Sequence, residues 1–385
     1  MPEFPHSISS KLPKVGTTIF TVMSQLASQE NAINLSQGFP DFPVDQYLID
    51  LVHKHMSAGR NQYPPMAGIM SIREQISDKM EKAYGVSYDP ETEVTVTAGG
   101  TQAIFTAINA LISEGDEVIV FTPAYDCYAP AIELVGGKPV YIQLSSKDYS
   151  IDWKQVKKVV TRRTKMILIN TPQNPTGAII NDKDIQELIK ITRGNDIIIL
   201  SDEVYEHIVY DGNRHLSMAL YPELANRSII VYSFGKTFHV TGWKTGYVVG
   251  PANLMTEFRK VHQFNVFTAN APIQYALSEY MGNPETYLRV SEMYQRKRDV
   301  FLSAVSASRF KLKPSKGTYF QLLDYSDISD EDDLELAQRL AKEHKVASIP
   351  VSVFYHNPMQ NHVLRFCFAK EEETLLRAGE ILTKI

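Results

Sequence analysis

Cysteine is almost missing from this 385-residue chain, which has only Cys127 and Cys367. Two thiols make neither a disulfide framework nor a four-cysteine zinc site, so both read as ordinary small side chains and no metal is expected. Long apolar runs are missing too. Nowhere do about 18 consecutive apolar residues occur to span a bilayer, and the opening "MPEFPHSISSKLPKVG" has no apolar segment of the signal-peptide kind. An excess of one charge is also lacking. The net charge is −5, and the 39 Lys and Arg are scattered, which leaves no nucleic-acid footprint. No internal repeat or low-complexity tract interrupts the chain. The expectation is a soluble, cytoplasmic protein that works on a small molecule. At this length a single core usually splits, so two domains are expected.

The apolar residues fall into two periods. Between Met66 and Tyr84, Ile69, Ile72, Ile76, Met80 and Ala83 recur at three- and four-residue steps before Gly85, which predicts an amphipathic helix with a glycine stop. Short apolar runs at Val94–Thr97, Val118–Phe121, Met166–Ile169, Ile197–Leu200 and Ile229–Val231 alternate with helix-like segments such as Asp184–Thr192. Such runs fit strands buried on both faces, and the alternation predicts an α/β fold with a mostly parallel central sheet. After about residue 280 the character changes. A helix over Tyr287–Ala304, a strand at Thr318–Leu323, a helix near Asp332–Glu343 and strands at Val346–Ile349 and Val363–Phe368 predict a smaller α+β domain. The expected division is 1–44 for an N-terminal arm and part of the small domain, 45–280 for the large domain and 281–385 for the small C-terminal domain.

Polar groups collect just past the predicted strands, where open α/β sheets bind their ligands. "NTPQNPTG" follows Ile169, "SDEVYEH" follows Leu200 and "YSFGK" follows Val231. A pyridoxal phosphate site would need a lysine for the aldehyde, a carboxylate for the ring nitrogen, and backbone donors with cations for the phosphate. Lys236 is the candidate lysine, because burial beside cations lowers an amine's pKa; taken alone it reads as a solvated surface group. Asp202 is the candidate carboxylate, or else a helix N-cap. Tyr205 and Asn174 could reach the phenolic oxygen from two sides, although Asn-Pro-Thr-Gly is also a turn former in its own right. "TAGGTQAIF" runs from strand through Gly99, Gly100 and Thr101 into a helix, which would present free N–H groups to an anion. Arg365, in "VLRFCFA", is a strand arginine whose planar fork suits an α-carboxylate.

Six motifs, "NLSQGFPDF", "TAGGTQA", "NPTG", "SDEVYEH", "SFGKTFHVTGWKTGY" and "LRFCFA", run in this order across nearly the whole chain. They resemble the class I/II, fold type I, pyridoxal-phosphate aminotransferases, and "TTIFT" and "GKTFHVTGWK" are similar to the kynurenine/glutamine transaminase branch and to bacterial methionine aminotransferases. The resemblance implies that Lys236 holds the cofactor and then moves the proton at the substrate Cα, and that Asp202 pairs with the pyridinium nitrogen. It implies Tyr205 and Asn174 at the phenolic oxygen and Tyr125 stacked on the ring. Gly100, Thr101, Gln102, Ser233 and Lys244 would surround the phosphate, with Tyr63 reaching it from the second subunit of a homodimer. Lys244 stands where many relatives have arginine, a point charge in place of a fork, and the kynurenine/glutamine branch tends to share it. Arg365, Gly38 and Asn174 form the implied carboxylate site, with Tyr125, Ile19, Tyr63 and Phe264 beside the substrate side chain. No second arginine for a distal carboxylate is identifiable. The expected donor is therefore a hydrophobic, sulfur-containing or aromatic L-amino acid, such as methionine, phenylalanine, glutamine or kynurenine, and the acceptor a 2-oxo acid.

Three rival readings compete with this one. Ser233 to Lys236 is also an S-x-x-K and Lys244 to Gly246 a K-T-G, both marks of penicillin-recognising serine enzymes. In those enzymes the motifs lie far apart with an S-D-N element between them, and that reading leaves "NPTG", Asp202 and Arg365 without tasks. A regulator built on the same fold would carry an attached DNA-binding segment, which is not expected ahead of an arm that starts at once. Carbon–sulfur β-elimination on cysteine conjugates begins with the same proton abstraction at Cα and stays open beside transamination.

Overall fold

The computed structural model describes residues 4–357 and 359–385; Met1, Pro2 and Glu3 of the expected arm lie outside the described residues. A short strand, β1 (Ile33–Asn34), precedes a seven-stranded central sheet. Its members are β2 (Val94–Thr97), β3 (Glu117–Thr122), β4 (Lys138–Gln143), β5 (Thr164–Asn170), β6 (Ile198–Asp202), β7 (Ser228–Ser233) and β8 (Gly246–Val249). They lie in the order β2-β8-β7-β6-β5-β3-β4. Every neighbouring pair from β7 to β4 is parallel, whereas β8 runs antiparallel to both β2 and β7. Helices cover both faces, which is why runs such as Met166–Ile169 and Ile198–Leu200 are apolar throughout and buried.

The expected amphipathic helix spans Met70–Tyr84 and stops at Gly85, whose φ of 69° is left-handed. It starts four residues later than the apolar spacing suggests. Ile69 stays extended, and its N–H goes to the Gln274 side chain at 2.9 Å instead of into a helical ladder. Two strands of the central sheet had no counterpart in the sequence reading. β4 lies at the sheet margin and is only partly buried, so it shows no apolar run. β8 begins inside the glycine-rich segment, where a Cβ on Gly246 would lie 2.5 Å from the Tyr232 carbonyl oxygen; only glycine allows that approach.

Beyond the Ala271–Met281 helix the chain builds a second, antiparallel sheet. Its strands are β9 (Lys311–Leu312), β10 (Phe320–Asp324), β12 (Ile349–Pro350) and β13 (Val363–Cys367), ordered β12-β13-β10-β9, while β11 (Val346–Ala347) pairs in parallel with β1. The strand expected over Val346–Ile349 is thus two strands in different sheets, divided at Ser348. The helix expected over Tyr287–Ala304 is also two pieces, Glu285–Leu288 and Val290–Val305. β10 starts at Phe320 because Thr318 has a φ of 63° and cannot continue a pleat.

One hydrophobic core joins Met23, Ala27 and Leu35 to Tyr294, Phe301, Leu340, Phe366 and Leu375, while separate clusters fill the two faces of the central sheet. The segment before β10 ties the sheets together. The Gly177 carbonyl accepts from the N–H groups of Lys316 (3.1 Å) and Gly317 (2.9 Å), and Thr318 donates to Ile208 at 3.0 Å. These bonds carry Tyr319 and Phe320 to the carboxyl ends of β5, β6 and β7. Among the described residues no helix is long and apolar enough to cross a membrane.

Candidate active site

Asp202 is the last residue of β6, so the strand delivers its carboxylate to the end of the sheet. One oxygen accepts the Tyr128 hydroxyl at 2.5 Å and the other the Val204 N–H at 3.3 Å. Burial pushes its pKa up to about 6, against the pull of those two donors and of Lys236. Asn170, at the end of β5, locks the same corner by donating to the Asp202 carbonyl (3.0 Å) and accepting from the Asn174 N–H (2.8 Å). Beyond the strand the chain turns and buries Tyr205 on the same side.

Lys236 follows β7 on a one-turn helix, Phe234–Thr237. Its ammonium donates to the Tyr319 hydroxyl at 2.9 Å and lies 5.6 Å from the Tyr205 ring centre and 5.5 Å from that of Tyr319. Burial first, then the nearby Lys244 and Arg365 charges, lower its pKa to about 8. This amine has no carboxylate within hydrogen-bonding distance among the described residues.

Arg365 projects from β13 and is 1% exposed. One terminal nitrogen donates to Asn174 Oδ1 at 2.8 Å and the other to the Ser36 carbonyl at 3.1 Å, while Nε is buried with no partner among the described residues. The guanidinium sits 3.8 Å from the Phe320 ring centre, with Phe20 at 5.3 Å and Phe354 at 5.4 Å, and burial lowers its pKa to about 10. A buried arginine with a spare donor and no carboxylate partner is costly unless a ligand completes it.

The opposite wall is built from backbone. Gly99, at φ 81°, opens the Gly99–Leu111 helix, whose first N–H groups have no partner within the helix. A Cβ on Gly100 would come 2.9 Å from Val204 Cγ1, so a side chain there would close the wall. Thr101 approaches the Tyr125 hydroxyl at 3.4 Å. Ser233 ends β7, and Lys244 points in from a left-handed residue with φ 50° and ψ 50°.

Gly38, Gly100, Thr101, Tyr125, Asn174, Asp202, Tyr205, Ser233, Lys236, Lys244 and Arg365 all line one cavity of about 330 Å³. Four expected residues do not. Gln102 turns away because Oε1 caps the Ala98 N–H at 3.0 Å and Nε2 donates to Thr106 at 2.6 Å. Ile19 begins the Ile19–Gln29 helix and packs against the C-terminal core, so the turn of the helix points its neighbour Phe20 into the cavity instead. Tyr63 and Phe264 are 82% and 91% exposed and lie outside the cavity of their own chain. Tyr128, Asn170, Val204, Phe20, Phe320 and, through Lys236, Tyr319 belong to the site and were missed. Only Asn170 carried a signal, as the polar residue closing the apolar run of β5. A second cleft of about 350 Å³ shares Tyr128 and Asn170 as a wall but contains none of Asp202, Lys236 and Arg365.

The aminotransferase class I and II model matches residues 30–382, and the chain belongs to that family. It is therefore a transaminase by class. Among its relatives, it is 46% identical over 377 residues to methionine aminotransferase of Escherichia coli (strain K12), which covers 98% of both chains. A solved structure from Escherichia coli, described as identifying a methionine aminotransferase function, superposes with a TM-score of 0.97 at 46% identity over 99% of this chain and 100% of the other. Kynurenine–oxoglutarate transaminase 1 of Homo sapiens is 34% identical over 94% of each chain.

Proposed function

We propose that this chain is a pyridoxal 5′-phosphate-dependent transaminase that moves the amino group of methionine, or of another hydrophobic, sulfur-containing or aromatic L-amino acid, to a 2-oxo acid by a ping-pong cycle. The observation that carries it is the meeting of Lys236, Asp202 and Arg365 around one cavity, with Asp202 and Arg365 buried and neither cation paired with a carboxylate among the described residues. The residues fit the cofactor. The orphan Nε of Arg365, the Gly100 wall that a Cβ would fill and the buried Asp202 carboxylate are groups that an empty protein has no reason to assemble.

In this reading Asp202 faces the ring nitrogen, Tyr205 and Asn174 the phenolic oxygen, and Tyr125 the ring face. Gly100, Thr101, Ser233 and Lys244 hold the phosphate, and Tyr63 reaches it from a second copy of the chain. When bound, the cofactor supplies an electron sink for the charge left at the substrate Cα. The chain does the rest. Lys236 Nζ, whose pKa is drawn down to about 8, takes the Cα proton and returns it. Arg365 grips the α-carboxylate with its fork, beside Gly38 and Asn174, and so fixes which bond at Cα is presented. Phe20 and Phe320 line the same cavity, which contains no arginine besides Arg365 among the described residues, so a distal carboxylate finds no partner there. The printed activity of the 46% identical relative favours methionine. We place this enzyme in the cytoplasm as a homodimer with shared active sites, divided at 1–44, 45–280 and 281–385; the separate hydrophobic cores support that division.

The deciding experiment incubates the purified chain with pyridoxal phosphate, methionine and a panel of 2-oxo acids. Transfer requires one new amino acid for each methionine-derived oxo acid. Release of thiol and ammonia without a new amino acid would assign the chain to β-elimination instead, and absence of both would overturn the reading.

A further inference from the structure

We propose that Tyr319 is a positioning residue that aims the lone pair of Lys236 into the cavity and ties that lysine to the loop carrying Gly38; this rests on Lys236 being the reacting amine. The phenol bridges the two. Its oxygen is 2.9 Å from Lys236 Nζ and 2.5 Å from the Gly38 carbonyl oxygen. A phenol has one proton to give, and a carbonyl can only accept. The proton is therefore committed to Gly38, and toward Lys236 the hydroxyl is an acceptor. One N–H of the amine is held along that line, so once Nζ is neutral its lone pair lies in one of the remaining tetrahedral directions, away from the phenol. Without the acceptor the amine rotates freely and spends less time aligned with the substrate.

Tyr319 is itself held in place. It is fully buried, edge-on to Tyr205 at 5.2 Å and beside Tyr294 at 5.6 Å, and its carbonyl accepts the Phe368 N–H at 3.0 Å. The groups that face Lys236 come from several elements: Asp202 from β6, Arg365 and Cys367 from β13, Lys244, and the rings of Tyr205 and Tyr319. The two cations disfavour the ammonium and the carboxylate favours it, but none of these charged groups makes a hydrogen bond to Nζ. The Tyr319 oxygen does, and accepting from the amine supports its charged form.

The test is Tyr319→Phe in the full chain freed of cofactor, with Lys236 titrated by trace acetylation and peptide mass spectrometry. The expected result is a midpoint about one pH unit lower than that of the parent chain, since an acceptor for a charged donor has been removed. With cofactor restored, the KM for the amino donor rises severalfold as the Gly38 loop loosens. Tyr294→Phe is the control, because it removes a neighbouring buried hydroxyl bound to His239 at 3.0 Å and leaves the lysine midpoint where it was. An unmoved midpoint in Tyr319→Phe, or an equal shift in Tyr294→Phe, overturns the proposal. A borohydride trap separates this failure from a failure of the functional reading. If no cofactor mass is fixed to Lys236 in the parent chain, the reading itself is wrong and the inference falls with it. If the mass is fixed and Tyr319→Phe still titrates like the parent, the inference alone fails.

Discussion

Lys79 and Lys236 both reach into the interior of the chain, and they are opposites. Lys79, on the Met70–Tyr84 helix, lies 2.5 Å from Glu206 and 2.8 Å from the Tyr247 hydroxyl, and Glu206 also accepts from Tyr84 at 2.5 Å. Burial resists ionising Glu206, yet Lys79 and these donors hold its pKa down at about 2, so the pair is charged and complete. Among the described residues Lys236 has only a phenol as hydrogen-bond partner, and the cations near it lower its pKa further. The motif "SDEVYEH" serves both sites. Asp202 and Tyr205 face the cavity, while Glu203 and Glu206 face away; Glu203 is met by Ser201, His215, Met218 N–H and Tyr232. A buried charge with its partners present belongs to the scaffold, and one whose partners are absent waits for a ligand.

Lys236→Ala tests the unpaired side most strongly. Turnover with methionine as donor should fall by about 10⁴-fold or more, because the proton carrier is gone, while the melting temperature without cofactor should not drop. A parallel fall in both would erase the contrast. Glu206→Ala should do the reverse, costing about 3–5 kcal/mol in urea unfolding because it strands the Lys79 charge. The double variant Lys79→Met/Glu206→Gln should recover most of that loss.

Asp202→Asn sharpens the comparison through pH. The folded pKa of about 6 exceeds the ordinary carboxylate value of 3.8, so the native state holds its proton more tightly than the unfolded chain. The stability this brings is complete below the ordinary value and is lost as pH rises to about 6. Without cofactor, Asp202→Asn should therefore match the parent in acid and exceed it by about 2–3 kcal/mol above pH 6, read from unfolding at both pH values. Equal stability at neutral pH would mean that the carboxylate is already compensated. The smallest effect expected is that of Arg365→Lys, about 2 kcal/mol, seen as a 10- to 100-fold lower kcat/KM with methionine. An unchanged constant would remove the carboxylate assignment.

What could be read from sequence follows the same division. Asp202, Asn174 and Lys236 stand within about five residues of the ends of apolar runs, so strand ends point to the candidate site in the sequence itself. Burial on both faces is what made those strands visible, and the half-exposed β4 and the glycine-rich β8 stayed hidden for the same reason. The missed residues reach the cavity by tertiary routes. Tyr128 comes over from the start of the helix after β3, and Tyr319 arrives from the second sheet, 83 positions beyond the lysine it touches. No local periodicity encodes such a meeting. Gln102 is the opposite case, since it follows the glycines of its motif but its side chain caps its own helix.

Lys244 carries a further consequence. Its left-handed backbone costs an L-residue roughly 1–2 kcal/mol, a strain that glycine would not feel. Replacement by glycine is thus downhill for folding and, if the ammonium holds phosphate, uphill for turnover. Under selection for heat resistance alone, lineages of this gene would drift toward glycine at that codon. Under selection for growth that depends on turnover by this enzyme they would keep lysine, so this one position records which pressure a population has lived under.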